Sequence, residues 1–353
     1  LFYNPNINKS KYVIATYWIR SKNADLRKAT WDLAIGQSVG NPNVRNQWET
    51  EELFEQSACV IVHDKDKLKH LTQGEVKIAF PCINTDWTGD GISHLLCQVM
   101  GGQMDIDTFD SCRLINLEFP AQIKKYFLGP QYGITGMRKY TGQYNKPFSG
   151  AIVKPKTGMS AKVLLNMVKE LVDGGVDFIK EDEIMSNPSF CPIETRVPLI
   201  ANYLNSQSKK VIYAVCINGD HDHILKRAKR VADHGGNAIH INHWAGLGVY
   251  NAVRKLNLPL FIHFQKSGDK VFTNPTHNFG INWNVICKLA GMMGVDTIHA
   301  GMWGGYLNDD ETELRKTITT LHTKGGARAM RQAIDKTHGP EYEQAIAKWG
   351  FVK

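Results

Sequence analysis

The stretch Gly174-Gly175-Val176-Asp177-Phe178-Ile179-Lys180-Glu181-Asp182-Glu183 decides the fold and points to a site. Its apolar centre is typical of a buried strand that ends at Lys180. The carboxylates Asp182 and Glu183 follow directly. Paired carboxylates at the end of a strand suit a hard divalent cation, which prefers oxygen ligands, although the same residues would also suit a solvated turn.

The pattern of an apolar strand followed by an amphipathic helix recurs through the second part of the chain. Alternating strands and helices predict an α/β fold with a parallel sheet. Six such units are visible, whereas a TIM barrel needs eight. A doubly wound sheet is the alternative, but no G-x-G-x-x-G follows any strand, and polar residues cluster at the strand ends, as in a barrel. The predicted strands are Ala151–Lys154, Val176–Lys180, Lys210–Ile217, Asn237–Ile241, Pro259–Phe264 and Thr297–Met302.

The first part of the chain mixes strands and helices without this regular alternation. It predicts a small α+β domain, with strands at Tyr12–Trp18, Ala58–Asp64, Glu75–Pro81 and Ser111–Phe119 and helices at Ala24–Gln37 and Gly91–Met100. Because Gly and Pro punctuate structure, we place the boundary near Gly129-Pro130. The expected domains are therefore 1–128 and 129–353.

Composition excludes several classes of protein. The formal charge is +8, but Lys and Arg are scattered among Asp and Glu, so we expect no nucleic-acid partner, while an anionic substrate is compatible. No run of eighteen apolar residues occurs, so no membrane span is expected. The first residues, 1–11, lack the apolar core of a secretory signal. Seven widely spaced cysteines without a CxxC pair favour reduced thiols in a cytoplasmic protein.

Further reactive side chains stand at other strand ends. Lys154 and Lys156 flank Pro155, and a lysine in a dry site can transfer protons. His263 and His299 end adjacent strands and could bind phosphate or move protons, although buried or loop histidines without a function are as common. A rival site for zinc is Asp220-His221-Asp222-His223 with His240 and His243, whose residues equally suit the start of a helix.

In combination, these motifs closely resemble the large subunit of RuBisCO. The resemblance runs in order through most of the chain and is carried by Gly129-Pro130-x-x-Gly133-Ile134, Lys154-Pro155-Lys156-x-Gly-x-Ser, Gly174-Gly175-x-Asp-Phe-x-Lys180-x-Asp182-Glu183 and Ile298-His299-x-Gly301. It implies an N-terminal α+β (ferredoxin-like) domain followed by a (β/α)8 TIM barrel. It also implies a homodimer or a multiple of dimers.

The resemblance assigns roles to individual residues. Lys180 would be carbamylated by CO2, and the carbamate would hold Mg2+ together with Asp182 and Glu183. Lys154 would move protons during enolisation and later steps, and Lys156 would support the site. The substrate-binding residues implied are His263 and His299, near substrate hydroxyls and phosphate, together with Gln98 in the N-terminal domain.

The departures from the family pattern concern carboxylation. Tyr306 stands where RuBisCO has the loop lysine that stabilises CO2 addition, and a phenol cannot supply that cation. Phe264 replaces a phosphate-binding arginine, and Gln98 replaces an asparagine. The N-terminal glutamate has no counterpart in the stretch 34–40. The metal-site residues are retained, which is the profile of a RuBisCO-like protein of the non-carboxylating branch (form IV).

The sequence lacks the last two strands of the family's barrel. The stretch after Thr323, from Lys324 to Asp335, resembles the helix that follows the eighth strand. Because a six-stranded barrel would leave open edges, we expect a segment to be missing near 323/324.

The implied substrate is a small phosphorylated keto sugar or keto sugar acid. The favoured reaction is decarboxylation or C–C cleavage of a 3-oxo sugar-acid phosphate of the 3-oxo-isoapionate 4-phosphate type. The alternatives are a methionine-salvage isomerase or enolase acting on methylthioribulose phosphate or diketo-methylthiopentyl phosphate. Gly102 stands where that enolase has a lysine, which weighs against it. A non-catalytic scaffold protein is the alternative from a different functional class.

Overall fold

The computed structural model describes residues 2–23, 25–303, 309–321 and 328–333. It divides into two compact units. Unit 1 comprises the residues up to Leu128 together with Gly268–Leu289, and unit 2 comprises Gly129–Ser267 and the described residues from Ala290 onward. No helix among the described residues is long and apolar enough to cross a membrane.

Unit 1 is built on a five-stranded sheet. Its strands are β1 (Tyr12–Ser21), β2 (Val60–Ile61), β3 (Gln73–Pro81), β4 (Phe109–Glu118) and β10 (Phe279–Ile281), in the spatial order β10-β4-β1-β3-β2. β1 pairs antiparallel with β3 and β4, whereas β10 lies parallel to β4. The helices are α1 (Leu26–Gly36), α2 (Glu51–Ser57), α3 (Gly91–Val99) and α9 (Lys270–Thr273). No sequence signal had indicated β10 or α2.

Unit 2 contains a parallel sheet whose strand order follows the chain. The strands are β5 (Gly150–Ile152), β6 (Phe178–Lys180), β7 (Ile212–Cys216), β8 (Ala238–Asn242), β9 (Phe261–Gln265), β11 (Thr297–Trp303) and β12 (Arg328–Ala333). The helices are α4 (Gly133–Thr141), α5 (Ala161–Asp173), α6 (Ile193–Ser206), α7 (His221–Asp233), α8 (Gly248–Lys255) and α11 (Glu311–Thr320), while α10 (Trp283–Met292) contains the boundary between the units. The six predicted βα units and the barrel-type α/β class are confirmed.

One expectation for the C-terminal part is wrong. Residues 328–333 were expected to be helical, but they form β12, which pairs in parallel with β11 from Thr297↔Arg328 to Trp303↔Ala333. The edge of β11 offers backbone partners that a short helix would leave unpaired. The expected missing segment near 323/324 and Tyr306 lie outside the described residues.

Local sequence explains the helix and the turn that precede β6, the strand that carries Lys180. Ser160 caps α5 by accepting a hydrogen bond from the Val163 amide, and Leu164, Val168 and Val172 bury one helical stripe. Gly175 then adopts a φ of 84°, which favours glycine, and the chain turns into β6.

An apolar floor closes the amino-terminal end of the barrel. Side chains from β6, β7, β8 and β9 point inward and pack with Met137 of α4; the buried cluster is Met137, Phe178, Ile212, Ala214, Ala238 and Phe261. Polar side chains of the same strands lie nearer their carboxyl ends. The polar end of the barrel interior is therefore the end where a site can form.

A buried ion pair secures the same amino-terminal end. Asp296, which precedes β11, accepts hydrogen bonds from Arg254 Nη2 (2.5 Å) and from the amides of Tyr132 (2.7 Å), Gly133 (3.0 Å) and Ile262 (2.9 Å). Asp296 and Arg254 are both almost fully buried. Their pairing joins the chain before α4 to the start of two strands.

We predict that Asp296→Ala lowers the free energy of unfolding by about 3–5 kcal/mol, because it leaves the Arg254 charge buried without its counter-ion. The measurement is equilibrium denaturation by urea. Asp233→Ala, at an exposed helix end, serves as the control and is expected to change stability by less than about 0.5 kcal/mol. Equal effects of the two substitutions would contradict the prediction.

Candidate active site

The register of the parallel strands brings polar side chains together at the carboxyl ends. β8 and β9 align His240 with His263 and Asn242 with Gln265. β6 ends at Lys180, which pairs with Ile152 of β5 on one side and with Ala214 of β7 on the other. Because aligned residues of a parallel sheet project from the same face, this polar set lines the interior above the apolar floor.

Lys180 is the most deeply buried cation of this set. Its side chain is 3% exposed, and Nζ donates to the Glu181 carbonyl (2.9 Å) and to Glu183 Oε2 (3.5 Å). Burial lowers the pKa of Lys180 from its ordinary value, while Glu183, Cys216 and Asp182 act in the opposite direction. Burial therefore makes it easier for the Lys180 ammonium to lose its proton, and the neutral amine that results is the form that can attack CO2.

Asp182 lies beside a second lysine. Lys154, which follows β5, places its ammonium 2.5 Å from Asp182 Oδ2. The Asp182 side chain is 2% exposed, whereas that of Lys154 is 53% exposed. Lys154 therefore connects a buried carboxylate to the open side of the site, where a substrate could be reached.

Glu183 is held by neighbours on three segments. Ser267 Oγ donates to its Oε1 (2.8 Å), and Asn218 Nδ2 donates to its backbone carbonyl (2.6 Å). Burial would raise the pKa of Glu183, but Lys180 and the hydrogen bonds outweigh burial and hold it below its ordinary value. Glu183 is thus an ionised carboxylate fixed next to Lys180.

The charges of these four side chains are compatible with a bound magnesium ion. Two ammonium groups, those of Lys154 and Lys180, balance the carboxylates Asp182 and Glu183. No three His, Cys, Asp or Glu side chains within the described ranges converge as metal ligands. A carbamate on Lys180 would add the third anionic oxygen ligand and would remove one of the two positive charges, so that a hard cation would restore the balance.

The predicted histidines lie on adjacent strands in the same interior. His263 Nδ1 lies 2.6 Å from Thr297 Oγ1, and the His263 ring is 5.3 Å from that of Phe178. His299 follows two residues after Thr297 on β11 and is buried. Burial, reinforced by the positive charge of Lys180, lowers the pKa of His263 well below 6.5. His263 is therefore a neutral ring near neutral pH.

Two predicted residues have other surroundings. Lys156 is exposed, and none of the hydrogen bonds or ion pairs of the described residues involves its ammonium. Gln98 lies on α3 in unit 1, where its amide donates to the Asn84 carbonyl (2.8 Å) and accepts from Thr85 Oγ1 (3.3 Å). The roles of both residues stay predictions. Phe264 is buried against Tyr250 of α8, with ring centroids 5.0 Å apart.

The zinc alternative gains no support from the described residues. His221 and His223 lie in the first turn of α7, where both are exposed, whereas His240 is completely buried inside the sheet. Asp222 lies in the first turn of α7, where a carboxylate is favoured by the helix dipole without any metal.

Sequence reasoning missed several residues that hold the site. Ser267 and Asn218 orient Glu183, and Glu181 binds Arg196 of α6 on the other side of the chain. Lys266, which follows β9, is a buried cation with Asp309 Oδ1 3.4 Å away. Their position directly after strands was the available signal, but Ser, Asn and Lys are too common in such loops to be selected from one sequence.

Comparison with known proteins identifies the family. The family model for the catalytic domain of the ribulose bisphosphate carboxylase large chain matches residues 133–351. The chain therefore belongs to the RuBisCO large-chain family.

Its relatives include both carboxylases and other enzymes. It is 26% identical to the ribulose bisphosphate carboxylase of Pyrococcus furiosus, over 97% of this chain and 95% of the relative. It is 32% identical to the 3-oxo-isoapionate-4-phosphate decarboxylase of Rhizobium etli, over 75% and 66%. It is 29% identical to the 2,3-diketo-5-methylthiopentyl-1-phosphate enolase of Geobacillus kaustophilus, over 81% and 71%.

Solved structures agree on the fold. The octameric RuBisCO of Pyrococcus horikoshii aligns with a TM-score of 0.85 at 24% identity, over 99% of this chain and 83% of that chain. A RuBisCO-like protein from Burkholderia fungorum aligns with a TM-score of 0.79 at 21% identity, over 96% and 85%. The architecture is therefore of the RuBisCO type, and the chain's relatives are enzymes of this superfamily.

The buried histidines predict a pH dependence of stability. Burial also lowers the pKa of His240 well below 6.5, so His240 and His263 stay neutral in the folded chain while they protonate near pH 6.5 when unfolded. The unfolded chain then binds more protons, and stability falls as the pH drops below about 6.5, by at most about 1.4 kcal/mol per pH unit for each ring.

We therefore expect His240→Met to flatten the loss of stability between pH 7 and pH 5, measured by urea denaturation at each pH. His221→Gln, at an exposed position, is the control and should leave the slope unchanged. An unchanged slope in His240→Met would contradict the assignment of a neutral buried ring.

Proposed function

We propose that this chain is a Mg2+-dependent enzyme that does not fix CO2 and that acts on a phosphorylated keto sugar or keto sugar acid. The observation that carries the proposal is the cluster at the ends of β5 and β6, where Lys154 lies 2.5 Å from Asp182 and the buried Lys180 lies beside Glu183. Asp182, Glu183 and a carbamate on Lys180 would hold the metal. When bound, Mg2+ would stabilise negative charge that develops on a substrate carbonyl oxygen.

The favoured reaction is decarboxylation or C–C cleavage of a 3-oxo sugar-acid phosphate. In decarboxylation the bond to the carboxylate carbon breaks, CO2 leaves, and the electron pair stays on the substrate. The Lys154 ammonium, half exposed and paired with Asp182, would return a proton to that carbon. Decarboxylation needs no lysine that captures CO2. This suits a chain that has Tyr306 in place of RuBisCO's loop lysine and Phe264 in place of its phosphate-binding arginine.

Relatives support this choice within the family. The 32% identity to a 3-oxo-isoapionate-4-phosphate decarboxylase exceeds the 29% identity to the methylthiopentyl phosphate enolase. Gly102, in place of the enolase's lysine, points in the same direction. The methionine-salvage isomerase or enolase is the second candidate because an enolase relative covers 81% of the chain.

The surroundings of the site are compatible with an anionic substrate. Lys154 and Lys266 are cations at the barrel's carboxyl end, after β5 and β9, and the neutral His263 can donate or accept hydrogen bonds with hydroxyl groups. All seven cysteines are free, which agrees with a cytoplasmic enzyme. We also propose a homodimer or a multiple of dimers, which light scattering after size exclusion would test.

The experiment is a panel of phosphorylated keto sugars and 3-oxo sugar acids, incubated with the enzyme, Mg2+ and bicarbonate. We expect CO2 release from a 3-oxo sugar-acid phosphate, measured by gas chromatography. Lys180→Ala should lose this activity. Incorporation of deuterium from D2O into methylthioribulose phosphate or the diketo compound, without decarboxylation, would favour the second candidate.

Two lysine variants sharpen the test. Because Lys154 contacts Asp182 and Lys156 is exposed without a described partner, Lys154→Ala should lower kcat by about 100-fold or more, and Lys156→Ala by less. No reaction with any compound of the panel would support the scaffold reading instead.

A further inference from the structure

Arg196 of α6 is a fully buried cation behind the site. It donates from Nε to Glu181 Oε1 (2.7 Å) and from Nη2 to Glu181 Oε2 (3.0 Å), so that the pair is bidentate. Glu181 also accepts from Tyr213 Oη (2.7 Å) and from the Cys216 amide (2.8 Å). Both partners are at most 1% exposed.

The same arginine binds the loop that follows β6 at two further points. It donates to the carbonyls of Ser186 (2.6 Å) and Cys191 (2.7 Å) and contacts that of Cys216 in β7 (3.3 Å). One guanidinium therefore joins the start, middle and end of the loop 181–191 to the neighbouring strand. Its planar array of donors is suited to such a fixed arrangement.

Glu181 stands between the proposed metal-binding residues in the sequence. Lys180 precedes it and Asp182 follows it, and both take part in the cluster at the mouth, whereas Glu181 binds Arg196 of the helix layer. The chain is still paired with β7 at Glu181, whose amide donates to the Ala214 carbonyl (3.1 Å), so fixing the Glu181 side chain on one side restrains its two neighbours on the other.

A buried ion pair is an expensive way to stabilise a fold. Removing two charges from water costs several kcal/mol for each ion, and apolar residues of similar volume often stabilise as well. Specifying one geometry explains this pair better than stabilising the fold does. Glu181 accepts four hydrogen bonds, and Arg196 also contacts three backbone carbonyls.

We propose that Arg196 is a positioning residue of the metal site. By holding Glu181 toward α6, it sets Lys180, Asp182 and Glu183 in their binding arrangement before the metal arrives. This inference rests on the proposed magnesium site, but not on the identity of the substrate. Its consequence is that Mg2+ affinity depends on Arg196 although Arg196 does not touch the metal ligands.

The chain offers a matched control for this inference. Arg254 forms a second buried pair, with Asp296, at the opposite, amino-terminal end of the same barrel. Arg196→Lys and Arg254→Lys each replace a guanidinium in a buried ion pair and are expected to lower overall stability to a comparable degree. Of these two arginines, Arg196 alone contacts the loop that carries Asp182 and Glu183.

The test is titration calorimetry of Mg2+ into the full chain with bicarbonate and without substrate. We expect Arg196→Lys to weaken Mg2+ binding by about 10–100-fold, as is typical when a residue that orients metal ligands is lost, and Arg254→Lys to change it less than twofold. Equal weakening in both variants, or no weakening in Arg196→Lys, would overturn the proposal.

Amide hydrogen exchange of the metal-free protein gives a second readout. Arg196→Lys should accelerate exchange in residues 181–191, while Arg254→Lys should leave this loop unchanged. If Arg196→Lys does not fold, Glu181→Gln replaces it, since it keeps the shape and removes the charge. If the parent chain binds no Mg2+, the metal site and this proposal both fail, whereas failure to find a substrate affects the proposed reaction alone.

Discussion

The balance of charge at the end of β6 is the constraint on which the rest of the site depends. Asp182 and Glu183 are successive carboxylates at this strand end, and each is paired with a lysine, Asp182 with Lys154 and Glu183 with Lys180. Carboxylates in a poorly solvated place are costly unless cations accompany them. Residues that follow neighbouring strands hold Glu183 in this balance, Asn218 after β7 and Ser267 after β9.

The two ends of the barrel differ in role, because one contributes stability and the other carries the candidate site. An apolar cluster around Phe178 and Met137 and the Arg254–Asp296 pair close the amino-terminal end. At the other end the same strands carry Lys180, His263 and their polar neighbours. The strands thus tolerate a costly group of charges because their lower halves pack against apolar residues.

Much of the fold could be predicted because local sequence and tertiary structure agree. The stripe of Leu164, Val168 and Val172 behind the Ser160 cap is visible in the sequence and is buried in α5. β10, at residues 279–281, could not be predicted, since three residues give no period and the partner strand β4 lies more than 160 positions away. Residues 328–333 were misjudged because an edge strand's partner, here β11, is invisible in the local pattern.

The sequence also indicated the centre of the site but not its support. Lys180, Asp182 and Lys154 were selected by motif, and the structure places them in one cluster. Glu181 was overlooked because it lies within the same motif yet turns to α6, where its partner Arg196 is 15 positions away. Contacts of this kind depend on how helix and strand meet, which a single sequence does not encode locally.

The most direct test of the account is 13C NMR of the protein with 13C-labelled bicarbonate, with and without Mg2+. A metal site built on Lys180 predicts a carbamate signal that Mg2+ strengthens in the parent chain and that Lys180→Ala abolishes. A spectrum in which Mg2+ produces no carbamate signal, or in which the signal persists in Lys180→Ala, would contradict the assignment of Lys180, Asp182 and Glu183 as the metal site.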